Sequence, residues 1–297
     1  MNSRRWLLLA VAVLAVSWAG PLIRIASDAE PAVVGFWRTL IATVVLAPFA
    51  LPKLRASLSS LSRAESLGLV GSGVLLAVHF WAWIASVNMT TVASSALLVA
   101  SSPVLVALAS ALMGRSPGAK AWVGIGLAIC GGAIVVGSGV SGSIRGNLLA
   151  LLGAVAAAGY LLIGSRLRER LDVIPYVFCV YGISSLVLMG VVYLNAESFW
   201  VDGSVQWLAV IALALGPQLL GHTTLNLLLD NMDPTRVAMA TMAEPVGAGL
   251  IAAALFNEIP RASFFLGAAL LLVGIGICLV GGRGRGRPRV DPLVTRD

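Results

Sequence analysis

Ten apolar stretches run through the chain, and short polar segments separate them. A hydrocarbon core of ~30 Å requires ~20 apolar residues per helix, so each stretch predicts a transmembrane helix. The predicted helices lie near 6–26, 32–51, 66–87, 91–113, 119–138, 147–166, 174–194, 206–229, 234–256 and 262–281. The pattern therefore predicts an all-α polytopic membrane protein with ten transmembrane helices.

The second half of this pattern repeats the first. An offset of 143 residues aligns His79 with His222, Asn88 with Asn231, Met89 with Met232, Pro117 with Pro260, Gly124 with Gly267 and Gly131 with Gly274, and an offset of 142 aligns Pro103 with Pro245. Because each half holds an odd number of helices, the two halves must enter the membrane in opposite senses. We expect inverted five-helix repeats at 1–138 and 146–281, a basic tail at 282–297, and alternating access about a site between the repeats.

Composition and charge support a membrane protein and predict its orientation. Hydrophobic residues make up 59% of the chain, charged residues 11%, and the net charge is +7. The basic residues fall mainly in alternate loops, as the positive-inside rule requires, and do not form one patch for nucleic acid. On the cytoplasmic side we expect Arg4, Arg5, Lys53, Arg55, Arg63, Arg115, Lys120, Arg166, Arg168, Arg170, Arg236 and the tail arginines. Both termini are then cytoplasmic, in a multi-pass protein of the inner (plasma) membrane.

Several segments resemble one superfamily of transporters. They are Gly35 to Ala42, Thr91 to Ala109 with Pro103, Gly124 to Gly137, Ala243 to Val246, Asn257 to Pro260 and the Gly-rich last helix. Together with the duplication, they resemble the drug/metabolite transporter superfamily with two EamA-type repeats. The resemblance implies a transporter and not an enzyme. One departure is Gly114-Arg115, where the family usually has Gly-Glu.

Glu244 is the acid placed deepest in the predicted membrane region, and Pro245 follows it directly. An ionisable group at that depth costs ~3 kcal/mol or more, so it requires a partner or a water-filled cavity. Pro245 removes a backbone hydrogen bond and can kink the helix. We interpret Glu244 as a candidate for proton coupling or cation binding, with a structural hydrogen bond to a neighbouring helix as the alternative.

Two polar patterns predict a binding cavity. His79 and Trp83 are four residues apart and share a face of helix three, where Trp83 could instead belong to an interfacial aromatic belt. Gln218, His222 and Asn226 recur every four residues on helix eight. A polar stripe on an apolar helix faces a cavity or another helix, so interhelical hydrogen bonding is the alternative here.

Arg38 and three weaker candidates complete the predicted site. The planar guanidinium of Arg38 could bind a carboxylate or phosphate, pair with a neighbouring helix, or extend to the outer interface. Trp18, Ser102 and Tyr160 are predicted to lie near the midplane of the membrane. Small residues along helix five, including Gly124 and Gly131, predict close helix packing or a homodimer contact.

Several kinds of chemistry have no motif in this sequence. There is no phosphate-binding Gly-rich loop followed by Lys-Ser/Thr, no HExxH and no CxxC, so we expect no ATPase, no metal and no cofactor. The three cysteines are far apart and predict no disulfide.

The predicted function is secondary transport of a small metabolite (an amino acid, an amine or a drug-like compound), with export favoured and proton coupling a further option. The alternatives are an intramembrane enzyme and a flippase of lipid-linked substrates.

Overall fold

The computed structural model describes residues 3–90, 92–114, 117–136, 143–257 and 261–281. All elements in this part of the chain are helical. By length and composition, eight of its helices can cross a membrane, and two further apolar helices are shorter. The basic tail at 282–297, Arg115, and the segment Glu258 to Pro260 lie outside the described residues.

The helices follow the predicted order, and most of their ends lie within three residues of the predicted ones. They are α1 Ser3–Ile25, α2 Pro31–Ser59, α3 Arg63–Met89, α4 Val92–Val99 and Ser102–Leu112, α5 Ala119–Val136, α6 Ile144–Leu167, α7 Val173–Leu194, α8 Ser204–Leu228, α9 Pro234–Thr241 and Glu244–Phe256, and α10 Ala262–Gly281. The largest difference is α2, which continues past the predicted end at 51 to Ser59 and contains Pro48 and Pro52. Each proline removes a single backbone donor, and helices of membrane proteins tolerate such losses.

Helices from the two halves pack antiparallel to one another. A Cβ atom on Gly124 of α5 would come within 2.6 Å of the Gly274 carbonyl oxygen of α10, and one on Gly131 would come within 2.7 Å of the Gly267 oxygen. As residue numbers increase along α5, the residues that they contact on α10 decrease in number, so the two helices are antiparallel. Two oppositely inserted repeats require this arrangement. The glycines allow the two backbones to touch, and this face is occupied within the chain rather than free for a second copy.

Two further helix pairs show the same relation. On α2 and α7, Gly35 contacts Leu188 and Gly182 contacts Thr43. On α3 and α6, Met89 lies against Gly146 and Trp83 lies against Gly153, again with opposite chain directions. The core of the molecule is therefore a set of contacts between the two repeats, and any site within it receives side chains from both.

Both repeats contain a helix that is broken near the middle. The first piece of α4 ends at Val99, and the first piece of α9 ends at Thr241. Val99 is four residues before Pro103, and Thr241 is four residues before Pro245. Since a proline ring clashes with the carbonyl group four residues earlier and provides no N–H, the helix breaks at this position in both repeats. The second pieces begin at Ser102 and Glu244.

Helix α8 is irregular in a different way. Residues Ala214–His222 form a π-helix, whose hydrogen bonds join residue i to residue i+5, and Pro217 lies within it. The backbone N–H of Thr223 donates to the Gln218 carbonyl oxygen in this pattern. Segments of this kind are rare and often occur at functional sites.

Candidate functional site

A cavity lies between the two repeats, where the breaks in α4 and α9 meet α1, α3, α6 and α8. Its water-accessible volume is about 70 Å³, enough for roughly five waters or a small solute. Its polar lining residues are His79, Trp83, Ser102, Tyr160, His222, Asn226, Thr241 and Glu244. Most of the residues predicted to form a site are thus brought together from both halves of the chain.

The two helix breaks supply Ser102 and Glu244 to the cavity. Each is the first residue of a second helical piece, and each precedes the proline that causes the break. Within the described residues, Glu244 makes no hydrogen bond and no ion pair, so its carboxylate is available to a ligand. The position at a helix N-terminus favours a negative charge, because the backbone N–H groups there have no helical partner.

Helix α3 contributes His79 and Trp83, whose rings stack at 6.0 Å with an interplanar angle of 15°. The Nδ1 atom of His79 lies 2.9 Å from the Gly153 carbonyl oxygen. Because a carbonyl oxygen only accepts, Nδ1 must carry the proton, and in the neutral ring Nε2 is the acceptor. The hydrogen bond therefore fixes the ring orientation and leaves one acceptor nitrogen for a ligand.

Helix α8 contributes His222 and Asn226. The Asn226 side-chain NH₂ donates to the Tyr160 hydroxyl and to the His222 carbonyl oxygen, the latter at 2.7 Å. The backbone carbonyl oxygen of Asn226 in turn accepts from Arg168 Nε at 3.1 Å. Asn226 thus connects a cavity-lining tyrosine to a buried arginine at the end of α6, whereas the ring of His222 has no hydrogen-bond partner among the described residues.

Gln218 and Arg38 lie behind the cavity wall and do not line it. Arg38 is fully buried, and its Nε donates to the Gln218 side-chain oxygen at 3.0 Å. The guanidinium carbon lies 3.9 Å from the centre of the Phe80 ring, and the Phe80 ring packs edge-on against His222 at 5.4 Å. The Phe80 ring therefore lies between the Arg38 guanidinium and the His222 ring at the cavity wall.

The π-helix explains why Gln218 leaves the polar stripe predicted for α8. A turn of π-helix holds more residues than a turn of α-helix, so positions four apart drift around the axis. His222 and Asn226, which are joined by regular helical turns, both line the cavity, and Gln218 turns toward Arg38. Trp18 also lies away from the cavity, on the outer surface between α1 and α8, where 44% of its side chain is exposed.

Sequence reasoning missed several residues that shape the site. Phe80 and Arg168 have no pattern that distinguishes them from other aromatic or cytoplasmic-loop residues. Val99, Ala100 and Thr241 line the cavity because they flank the helix breaks. The prolines that follow them within four residues could have identified these positions. A proline breaks the helix up to four residues before it, and the residues at such a break can line a cavity.

Comparison with known proteins agrees with this architecture. The sequence profile of the EamA-like transporter family matches residues 4–137 and 144–280, which together cover most of the chain. A similar solved structure, a crystal structure described only as that of a protein, has a TM-score of 0.77 at 20% identity and covers 95% of this chain and 99% of its own. That likeness shows the fold alone. No curated protein sequence gives a significant match. The chain belongs to the EamA-like transporter family.

Proposed function

We propose that this protein is a secondary transporter that moves a small amine-bearing compound across the inner membrane by alternating access. The observation that carries the proposal is the convergence of both broken helices on one cavity, with the Glu244 carboxylate, which has no partner among the described residues, at its wall. In transporters built from inverted repeats, substrates bind near the midplane where such discontinuous helices meet. Rocking of one half against the other would open this cavity to each side in turn.

The side chains of the cavity favour a positively charged group on the substrate. Glu244 is the acid among the lining residues, while Arg38 is held behind Phe80. Trp83 and Tyr160 present aromatic rings, which attract ammonium groups. The substrate class is therefore a compound with an ammonium group: an amine, an amino acid or a drug-like cation.

The same carboxylate supports export coupled to protons. A bound ammonium group and a proton compete for Glu244, so binding of one releases the other. With a proton gradient directed inward, protons would load the outward-facing carboxylate and the cation would leave. Antiport of this kind needs a single acid that is exposed alternately to each side, and the location of Glu244 at the cavity wall supports that role.

Flux measurements in proteoliposomes test this function. We expect tetramethylammonium or a small primary amine to be transported, and an imposed pH gradient to increase its accumulation several-fold. Lack of flux for amines, amino acids and drug-like cations would contradict the proposal. Scrambling of a labelled lipid-linked sugar, or turnover of such a lipid, would instead indicate a flippase or an intramembrane enzyme.

The orientation can be tested by cysteine labelling in a variant whose Cys130, Cys179 and Cys278 are replaced by Ala. From the distribution of basic loops, Ser57→Cys at the end of α2 should face the cytoplasm and Ser204→Cys at the start of α8 should face outside. A membrane-impermeant maleimide added to intact cells should label position 204 and reach position 57 only after permeabilisation. Labelling of both positions in intact cells would contradict the orientation.

A further inference from the structure

A second site, lined mainly by apolar side chains, lies on the outer surface of the molecule between α1 and α8. This groove, called here the Trp18 groove, has a volume of about 580 Å³. Its walls include Leu14, Trp18 and Leu22 on α1 and Leu215, Gly216 and Leu220 on α8. Much of Leu14, Leu215 and Leu220 is exposed, so the groove opens toward the hydrocarbon core of the bilayer.

The Trp18 groove and the central cavity share one thin wall. On α1, Ala15 and Trp18 line the groove, and their neighbours Val16 and Ala19 line the cavity. On α8, Leu220 lines the groove and His222 lines the cavity. In the described part of the chain, α1 and α8 therefore each border both the lipid-facing groove and the binding cavity.

Both helices are irregular where they form this wall. Helix α1 is interrupted at Trp18, between pieces that end at Ser17 and begin at Ala19. Helix α8 is π-helical from Ala214 to His222 over the same region. The two meet at Gly221, where a Cβ atom would come within 2.7 Å of the Val16 side chain. Both departures from regular helix therefore lie at the contact between α1 and α8 that forms the wall.

We propose that the Trp18 groove is a lateral entry site that takes the alkyl chain of an amphipathic amine from the bilayer and passes its ammonium end to the cavity. This inference rests on the proposed transport of amines. Among the described residues, no charged side chain lines the groove to hold a head group, whereas the cavity behind the wall provides the Glu244 carboxylate. A molecule that spans both sites therefore needs an apolar tail and a cationic head.

The dimensions of the groove fit such a tail. The lining positions on α1 run from Val11 to Leu22. At ~1.5 Å per helical residue this is a length of roughly 16 Å, about half of the ~30 Å hydrocarbon core. A straight alkyl chain that enters from one leaflet can therefore lie along the groove with its head near the midplane.

The test compares two glycine variants in proteoliposomes with tetramethylammonium and dodecyltrimethylammonium as substrates. A Cβ atom on Gly216 would meet nothing within 4 Å, so Gly216→Leu should fold normally while its side chain fills the groove. Gly190→Leu on α7 is the matched control, because its Cβ would also meet nothing within 4 Å and it lies outside the groove. We expect Gly216→Leu to slow the dodecyl compound at least tenfold, with tetramethylammonium flux unchanged. Equal effects on both substrates, or no effect on either, would overturn the lateral entry site.

A crosslinking experiment separates failure of this inference from failure of the proposed transport. Dodecyltrimethylammonium with a diazirine at the end of its chain should label peptides containing Trp18 or Leu215 in the reconstituted protein. Gly216→Leu should remove that labelling, and Gly190→Leu should retain it. Labelling of Trp18 without flux of any amine would support the groove and contradict transport, while flux with labelling elsewhere would contradict the groove. Equal labelling of Trp18 or Leu215 by a phospholipid with the same diazirine at the end of an acyl chain would show that the groove holds any lipid tail, which also overturns the inference.

Discussion

Replacement of Glu244 by Gln should abolish accumulation driven by a pH gradient and leave substrate exchange partly intact. Glu244 is half-buried in the cavity at the start of the second piece of α9 and has no hydrogen-bond or ion-pair partner among the described residues. Glutamine keeps the shape of the protonated acid and cannot ionise. Net coupled transport requires the group to gain and lose a proton in each cycle, whereas exchange of one substrate molecule for another requires no net proton movement.

The measurement compares counterflow with gradient-driven flux in the same proteoliposomes. We expect driven accumulation to fall to the level of empty vesicles and counterflow to persist at a reduced rate. Glu197→Gln is the matched control, since Glu197 lies in the loop between α7 and α8 and does not line the cavity. Full driven accumulation by the Glu244→Gln variant would show that coupling lies elsewhere. Loss of both activities together with membrane expression would make Glu244 a structural residue.

The second large effect is expected from the ring of His222. The ring lines the cavity without a hydrogen-bond partner among the described residues. His222→Ala therefore removes a contact to the ligand and leaves no neighbouring polar group in this part of the chain without its hydrogen bond. Loss of such a contact typically costs ~1–3 kcal/mol, or ~5- to 150-fold in substrate affinity. Trp83→Ala should weaken binding as well, with an added loss of stability, because only 6% of the Trp83 side chain is exposed.

Gln218→Ala provides the contrast, because its side chain lies behind the wall. It accepts a hydrogen bond from buried Arg38, so the alanine variant leaves that cation without its side-chain acceptor. We expect reduced membrane expression and thermal stability from Gln218→Ala, and near-normal expression with weaker binding from His222→Ala. Substrate titrations of purified, reconstituted variants measure the affinity. Unchanged affinity in both His222→Ala and Trp83→Ala would contradict the assignment of the cavity as the binding site.

Much of the architecture follows from the sequence by itself. The lipid environment imposes runs of apolar residues of nearly constant length, so most helices could be placed within three residues of their positions in the structure. The repeat was readable because histidine, glycine and proline residues recur at offsets of 142 to 143 residues. Pro103 and Pro245 mark corresponding helix breaks, and both breaks lie at the cavity. Glu244 could be singled out because an acid at membrane depth requires a partner or a cavity.

The tertiary structure decided which of the polar side chains meet. Gln218 is absent from the cavity lining because the π-helix rotates it toward Arg38, and Trp18 lies on the outer surface between α1 and α8. Arg38 is held from the cavity by Phe80, a residue from another helix. The face of α5 that contains Gly124 and Gly131 packs on α10 within the same chain, although the small residues alone were equally consistent with a homodimer. Sequence periodicity describes a regular helix and its burial, whereas contacts depend on irregular turns and on the relative rotation of helices far apart in the chain.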